Sequence, residues 1–299
     1  HWELLIIDDG SKAAETKAIL DGLDHPQITI IPSTRNLGIS AATNLGIKSA
    51  SGDYVAFLDH DDMLALGALA EVAAEIIRSE ADVLYTDEII FGDASTSVDT
   101  AYFGHPHLKP DYSPALLLSH NYITHLLVVR KKLLDEIGGT RSEFDGAQDY
   151  DLLLRLTEKT DKVFHIPKLL YHWRQSAQST ALDSAAKPAA HHRAQKALEQ
   201  TLSRRAIHGR VLTANRPHYF RVQHEIIGEP LVSIIIPFRD QPRLLFECID
   251  ALNRCTRYQN YEVIGIDNSS EDELTKELMA RLPNQLRVRF HRFSGPFNF

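Results

Sequence analysis

The chain has 299 residues, and 32 basic against 40 acidic side chains give it a formal net charge of −8. A prior of about 150 residues per domain predicts two domains or one large one. The composition, 43% hydrophobic and 24% charged, excludes a disordered or fibrous chain, and the acidic balance argues against a nucleic-acid partner. No apolar run approaches the roughly 20 residues of a membrane-spanning helix.

Strands and helices alternate along the first 90 residues or so. The pattern predicts strands at 4–7, 28–31, 54–58 and 83–85, separated by helices at 12–23, 39–50 and 64–78. Such alternation is typical of a doubly wound, mostly parallel sheet. Ligands of these sheets bind beyond the carboxyl ends of the strands, so polar residues that follow strands are site candidates.

The middle of the chain continues the alternation with shorter elements. The pattern predicts strands near 125–129 and 164–170, and helices from 131 to 137, over 149–158 and over 188–207. Residues 92–114 read as a long loop, and long loops in compact domains are usually functional or mobile. His105 and His107 in this loop have no carboxylate or cysteine at metal spacing, so we interpret them as structural.

Two cysteines, Cys248 and Cys255, lie seven residues apart in another predicted helix. This spacing puts them on one face but too far apart for a disulfide, which favours a reducing compartment. We expect both to be small buried side chains.

The chain repeats part of itself. Residues 2–11 read WELLIIDDGS and residues 261–270 read YEVIGIDNSS, each an aromatic–Glu pair, an apolar strand and an acidic turn. This offset is far longer than a solenoid period, so we interpret it as two copies of one domain. Because a strand and a helix precede only the second copy, we expect about 30 residues to be absent before His1, and both copies to be cut. The predicted domains are 1–186, a helical linker and connecting segment at 187–230, and a truncated second domain at 231–299.

Carboxylates end three of the predicted strands, as Asp8-Asp9, as Asp59-His60-Asp61-Asp62 and as Asp87-Glu88. Three carboxylates within four residues repel one another unless a cation or protons compensate. Mg²⁺ or Mn²⁺, with sites left open for phosphate oxygens, is the simplest compensator. Capping of the next helix by Asp61 or Asp62 would explain one carboxylate and leave two.

Two later groups of polar residues stand out. One is Phe144-Asp145-Gly146-Ala147-Gln148-Asp149, where Asp149 opens a helix and an N-terminal cap explains it equally well. The other is Tyr171-His172-Trp173-Arg174, although a lone histidine is more often structural than a ligand. The glycine-rich phosphate loops and the nucleophile elbow are absent from the sequence, which counts against dehydrogenases, P-loop NTPases and α/β-hydrolases.

Taken in order, these motifs resemble the family-2 nucleotide-sugar glycosyltransferases, the inverting group that includes cellulose and chitin synthases. The resemblance covers nearly the whole chain, from LLIIDDGS through STRNLGISAATNLGIKSASGDYVAFLDHDD to GGTRSEFDGAQDYDLLLRL and LLYHWR, and restarts at VSIIIPF. It is nearest to tandem-domain bacterial members that build rhamnan or O-antigen type surface polysaccharides. It implies a GT-A type α/β fold with a doubly wound, mostly parallel sheet, followed by the start of a second similar domain.

The resemblance implies a metal site and a nucleotide pocket. Asp59 and Asp61 match the D-x-D motif, which holds a divalent metal on the donor diphosphate and contacts the ribose. His172 matches a late position that often reaches the metal or the diphosphate. Asp9 and Arg35 match positions that line the nucleotide pocket.

The resemblance also implies a reaction. Asp149 matches the general base of the (E/Q)-D motif, in which this chain has Gln148. The implied reaction moves a sugar from a nucleoside-diphosphate sugar to a glycan or lipid-linked acceptor with Mn²⁺ or Mg²⁺. It is expected in the cytoplasm, with peripheral association at the inner face of the membrane left open.

Two alternatives stay open. A non-catalytic sugar-nucleotide-binding or scaffold module would keep the fold without turnover, and the intact acidic set counts against it. A sugar-nucleotide pyrophosphorylase would need a glycine-rich and basic phosphate loop after its first strand, which residues 238–242 (FRDQP) do not supply.

Overall fold

The computed structural model of the chain describes residues 1–92, 104–175, 188–284 and 286–295. The chain divides into two compact units, residues 1–225 and residues 226–299. Residues 93–103 of the expected loop at 92–114 and the expected domain boundary at 186/187 lie outside the described residues, and His105–His107 of that loop form a short strand. Among the described residues, none of the helices combines the length and the apolar character needed to cross a membrane.

The first unit contains a parallel strand pair, a larger mixed sheet and a two-stranded ribbon, with helices between them. Its strands are β1 (Leu4–Asp8), β2 (Ile28–Pro32), β3 (Tyr54–Phe57), β4 (Met63–Leu64), β5 (Val83–Gly92), β6 (His105–His107), β7 (Leu127–Arg130), β8 (Val163–Gln175), β9 (Gly209–Thr213) and β10 (Phe220–His224). Its helices are α1 (Ala14–Asp21), α2 (Ile39–Ser49), α3 (Ala68–Ser79), α4 (Pro114–Leu117), α5 (Lys131–Ile137), α6 (Gln148–Leu156) and α7 (Pro188–Arg204), with a 3₁₀ turn at Ser142–Phe144.

The larger sheet has the strand order β3-β7-β5-β8-β4, with β6 also paired to β5. Only the β5–β8 pair is parallel among these described strands, and the other pairs are antiparallel. The α/β class is confirmed, but the larger sheet is mixed rather than mostly parallel. A parallel pair needs a crossover connection, whereas the chain after β6 re-enters the sheet from the edge where β5 ends.

Apolar side chains on the two faces of the larger sheet form two clusters. Successive residues of a strand point to opposite faces, so Val83 and Tyr85 join a cluster with α5, α6 and α7, while Leu84 joins a cluster with α3. Helix α7 contributes Ala194 and Leu198 to the first cluster. Much of the expected linker at 187–230 is therefore packed into the first unit.

Helix α3 begins later than the apolar pattern predicts. Met63 and Leu64 pair with Tyr171 and His172 of β8 instead of starting the helix. Gly67, with a φ of 80°, then turns the chain into the helix.

The second unit repeats the local structure of the first strand pair. It consists of β11 (Val232–Phe238), α8 (Pro242–Cys255), β12 (Tyr261–Asp267), α9 (Glu273–Arg281), a 3₁₀ turn (Leu282–Asn284) and β13 (Val288–Arg292), with a parallel sheet ordered β11-β12-β13. Asp8 Oδ1 accepts a hydrogen bond from the Ser11 N–H at 2.8 Å, and Asp267 Oδ1 accepts one from the Ser270 N–H at 2.9 Å. Two related turns therefore follow corresponding strands, while the division into two catalytic-type domains stays a prediction.

The expectation that both cysteines are buried is wrong. Cys248 and Cys255 are exposed on α8. The helix buries the face that carries Leu245 and Ile249, and both cysteines lie outside this narrow stripe.

The turn after β1 depends on a glycine. Gly10 has a φ of +79°, and a Cβ there would lie 2.9 Å from the Arg35 carbonyl carbon. Strands β1 and β2 are parallel, with Asp8 opposite Pro32, so this close approach joins the two loops that leave them at one edge.

We expect Gly10→Ala to lower the free energy of unfolding by more than Gly67→Ala. Both glycines have nearly the same positive φ, which costs an L-residue about 1–2 kcal/mol, but nothing lies within 4 Å of a Cβ at Gly67. Urea unfolding of both variants measures the difference. Equal losses would show that the loop at Arg35 moves away without cost.

Candidate active site

The register of β7 brings three groups of polar residues to one edge of the larger sheet. Phe57 at the end of β3 lies opposite Leu127, and Tyr85 of β5 lies on the other side of Leu127. Because both pairs are antiparallel, the residues that follow β3 and those at the end of β5 meet the residues that precede β7. Asp59 and Glu88 therefore lie beside His125.

Asp59, Asp62 and His125 form a candidate cation site. Each offers one ligand atom, and these atoms lie within 4.8 Å of one another. No other such group of three occurs among the residues that the structure describes. Carboxylate oxygens suit Mg²⁺ and Mn²⁺, whereas an imidazole nitrogen favours a transition metal, so this donor set fits Mn²⁺ better than Mg²⁺.

The charges of this group are strongly coupled. Burial alone would lower the pKa of His125, but the neighbouring Asp59 and Glu88 outweigh it and raise the pKa to about 10. A hydrogen bond from His125 lowers the pKa of Asp59, against the opposing effect of burial. Burial raises the pKa of Asp62 to about 6. Two carboxylates and one imidazole thus share a small volume, an arrangement that a bound cation would stabilise once it displaces the imidazole proton.

Tyr171 contacts all three residues of the candidate cation site. Its hydroxyl donates to Asp62 Oδ2 at 2.5 Å and accepts from the Asp59 N–H at 3.2 Å. Its fully buried ring stacks on the His125 ring, with centroids 4.8 Å apart. The Arg174 N–H donates to Asp62 Oδ1 at 2.6 Å. Strand β8 therefore fixes the Asp62 carboxylate, the Asp59 backbone and the His125 ring.

The structure places Asp61 and His172 outside this group. The Asp61 side chain is exposed, with His60 Nδ1 at 3.9 Å, and its carbonyl accepts from Arg174 Nε at 2.8 Å. His172 is fully buried in β8, and burial lowers its pKa. The metal-binding roles given to both residues stay predictions, and Asp62 and His125 are the additional candidates.

Asp149 lies in the first turn of α6, with its side chain exposed. Solvent reaches its side chain, while the surrounding protein atoms raise its pKa above the usual carboxyl range. Asn121 Nδ2 donates to Asp149 Oδ2 at 2.9 Å. Gln148 instead accepts from the Gly146 N–H at 2.6 Å, so it stabilises the turn before the helix. Asp149 is thus a carboxylate of raised basicity that solvent or a ligand can reach.

Asp9 and Arg35 meet at the edge of the β1–β2 pair. The Asp9 carboxylate accepts from the N–H groups of Leu37 and Gly38 at 2.6 and 3.0 Å, so it orders the loop that carries the exposed Arg35. A Cβ at Gly38 would lie 3.2 Å from Asp145 Oδ2. The nucleotide-pocket candidates therefore adjoin the motif that ends at Asp149.

Sequence reasoning missed Asn121 and His125, and it set His107 aside. His107 Nδ1 lies 2.7 Å from Glu88 Oε1, a carboxylate partner that is distant along the chain and that spacing does not reveal. In a parallel sheet, only residues at the carboxyl ends of strands are site candidates. Asn121 and His125 precede an antiparallel strand, whose amino end lies at that same edge, so the direction of β7 was the missing signal.

Residues 1–138 match the family model described as glycosyl transferase family 2. The whole chain is 37% identical over 304 residues to the O-antigen biosynthesis protein RfbC of Myxococcus xanthus, of which it covers 23%. It is 27% identical over 184 residues to a chondroitin synthase of Escherichia coli, with 60% of this chain and 26% of that protein covered. The chain therefore spans about a quarter of the length of these relatives.

The fold is similar to that of a solved structure. Residues 1–349 of TarS from S. aureus, in complex with UDP-GlcNAc, superpose with a TM-score of 0.52 and 16% identity over 67% of this chain and 57% of that one. This likeness supports the GT-A type α/β fold of the first unit.

We expect Asp59→Asn and His125→Ala each to weaken Mn²⁺ binding at least about tenfold, because each removes one donor from a small ligand set. Electron paramagnetic resonance of free Mn²⁺ measures the affinity. His224→Ala, at an exposed strand end in the first unit, is the control.

Asp61→Asn tests the D-x-D assignment in the same titration. Loss of affinity in this variant, with none in His125→Ala, would place the ion on the motif carboxylate instead.

Proposed function

The chain belongs to glycosyl transferase family 2 through its first domain, and we propose that this domain transfers a sugar from a nucleoside-diphosphate sugar to a glycan acceptor. The single observation that carries the proposal is the segment 121–125. Its Asn121 binds Asp149, and its His125 lies 3.4 Å from Asp59. A basic carboxylate and a cation site are thus held by one five-residue segment.

Asp149 is the general base in the proposed reaction. It accepts the proton of the acceptor hydroxyl while that oxygen forms a bond to the anomeric carbon of the donor sugar. The bond from this carbon to the diphosphate oxygen breaks on the opposite face, and its electron pair leaves with the diphosphate, so the configuration inverts. A raised pKa suits this role, because a base works best with a pKa near the operating pH.

Asp59, Asp62 and His125 are the residues that we propose to hold the cation, with Asp61 beside them. A bound Mn²⁺ or Mg²⁺ supplies neutralisation of the charge that develops on the departing diphosphate. The Asp9 loop and Arg35 contact the nucleoside. The D-x-D assignment from the resemblance and the ligand group in the structure share Asp59, which is therefore the firmest member of this set.

The substrate class follows from the relatives. TarS was solved with UDP-GlcNAc, which supports a nucleoside-diphosphate sugar as donor. RfbC is named for O-antigen biosynthesis, which supports a surface polysaccharide, free or lipid-linked, as acceptor. We place the reaction in the cytoplasm, next to the inner face of the membrane, on the family resemblance. The second candidate, a non-catalytic binding module, would bind the donor without transferring the sugar.

We expect Asp149→Asn to bind donor normally and to lose about 10²–10⁴-fold in kcat, the contribution of a well-placed general base. Thermal shifts with UDP, dTDP and GDP, in Mn²⁺ or in EDTA, identify the nucleotide. Release of nucleoside diphosphate from the matching sugar, with oligosaccharide acceptors, measures transfer.

Glu143→Gln, an exposed carboxylate six residues before Asp149, is the matched control and keeps full activity. Full transfer by Asp149→Asn contradicts the base assignment. Donor binding by the wild-type chain without transfer to any acceptor favours the non-catalytic module.

We expect Asn121→Ala to move the acid limb of the pH profile of kcat/KM to higher pH. The Asn121 amide stabilises the charged form of Asp149, so its loss raises the pKa of the base, and the rate then falls earlier as the pH decreases. A hydrogen bond to a charged group contributes about 1.5–3 kcal/mol, which is about one to two pKa units. Because this hydrogen bond is exposed to solvent, which weakens it, the expected shift is up to about one pH unit. Asn253→Ala, on the exposed side of α8 in the second unit, is the control. An unchanged pH profile in Asn121→Ala would contradict the role given to this hydrogen bond.

A further inference from the structure

Glu88 is a fully buried carboxylate that lies against the segment 121–125. Thr124 Oγ1 donates to its two oxygens at 3.0 and 3.1 Å, and the His125 N–H donates at 3.2 Å. From the other side, His107 Nδ1 lies 2.7 Å and Lys109 Nζ 3.1 Å from the same carboxylate. Both oxygens are thus saturated by donors from two separate parts of the chain.

Lys109 also contacts the backbone of the segment 121–125. Its fully buried ammonium donates to the Ile123 carbonyl at 2.6 Å and to the His125 carbonyl. Glu88 and Lys109 together therefore hold three consecutive residues, 123, 124 and 125. Stability alone is a weak reason for burying such a pair, because the cost of removing both charges from water offsets most of their attraction.

The His125 ring lies between two carboxylates. Its Nδ1 is 3.5 Å from Glu88 Oε2, and its Nε2 is 3.4 Å from Asp59 Oδ2. Metal-binding histidines commonly direct their second ring nitrogen to a carboxylate, which fixes the tautomer and the ring orientation. Glu88 occupies the position of that second carboxylate.

We propose that Glu88 is a positioning residue, which aims His125 at the cation site and fixes the segment that brings Asn121 to Asp149. The inference rests on the proposed function and deepens it. It makes the buried Glu88–Lys109 pair the common support of the cation site and of the base, although neither residue reaches the substrate. It also gives a role to the strand-ending acidic pair Asp87-Glu88. Asp87, the other member of this pair, has a structural role, because it accepts from the Lys109 N–H at 2.9 Å and lies 2.8 Å from His165 Nε2.

The test is the Mn²⁺ affinity of the 299-residue chain with Glu88→Gln, measured by electron paramagnetic resonance without donor or acceptor. We expect about 10–100-fold weaker binding, the usual cost of removing the carboxylate behind a metal-binding histidine. We also expect Glu88→Gln/His125→Ala to bind no more weakly than His125→Ala alone, because residues that act through one contact are not additive.

The matched control is Asp82→Asn. Asp82 precedes the other end of β5 and is ion-paired to Arg130 at 2.7 Å, so this variant loses a paired carboxylate far from the site. We expect it to lower the melting temperature without changing the Mn²⁺ affinity. Glu88→Asp keeps the charge but shortens the side chain, which withdraws the carboxylate from His125. It tests the inference if Glu88→Gln does not fold, and we expect its Mn²⁺ binding to be weakened as well.

Wild-type Mn²⁺ affinity in folded Glu88→Gln or Glu88→Asp overturns the inference, and so does a loss that adds fully to that of His125→Ala. A wild-type chain that transfers sugar but binds no Mn²⁺ overturns the inference and leaves the proposed function standing. Failure of sugar transfer leaves the Mn²⁺ measurement intact, so the two proposals fail separately.

Discussion

The site depends on one strand pairing, the insertion of β7 antiparallel between β3 and β5. Its register sets Leu127 between Phe57 and Tyr85, and the side chains beyond these positions have to share a small volume. A shift of one residue would turn each side chain of β7 to the other face of the sheet. The buried residues Val128 and Val129 belong to clusters on opposite faces, so apolar packing on both sides fixes the register and, with it, the position of His125.

This geometry brings several carboxylates close together, where their charges repel one another unless positive groups compensate them. Asp59, Asp62 and Glu88 converge at the sheet edge, with His125 beside Asp59 and Lys109 beside Glu88. Lys109 compensates Glu88 in the interior, where an unpaired charge would be very costly. Burial raises the pKa of Asp62 to about 6, as expected of a carboxylate that is partly removed from water. The interior is balanced while the surface of the site stays anionic, which suits a site that receives a cation together with a diphosphate.

Much of this arrangement was predictable from periodicity and local chemistry. The alternation of strands and helices predicted the α/β class. Asp59 was a candidate because it follows a strand, and Asp149 because it opens a helix. The acidic repeat predicted related turns at Ser11 and Ser270, and the structure has both. The mixed direction of the larger sheet was not predictable, because hydrophobic alternation reports which residues are buried and not which way a strand runs. The exposure of Cys248 was missed for a related reason, since periodicity indicates that a helix has an apolar face but not how wide that face is.

The sequence by itself determined most of the helices and longer strands, the family resemblance and the carboxylates that follow strands, because these depend on neighbours along the chain. Only the tertiary structure decided which distant groups meet. Asn121 and Asp149 are 28 residues apart, and Asp59 and His125 are 66 apart. Their contacts follow from strand direction and register, which are set by packing on both faces of the sheet. The pairing of His107 and Lys109 with Glu88 has the same origin, because a short strand returns beside β5 and carries them to a buried acid.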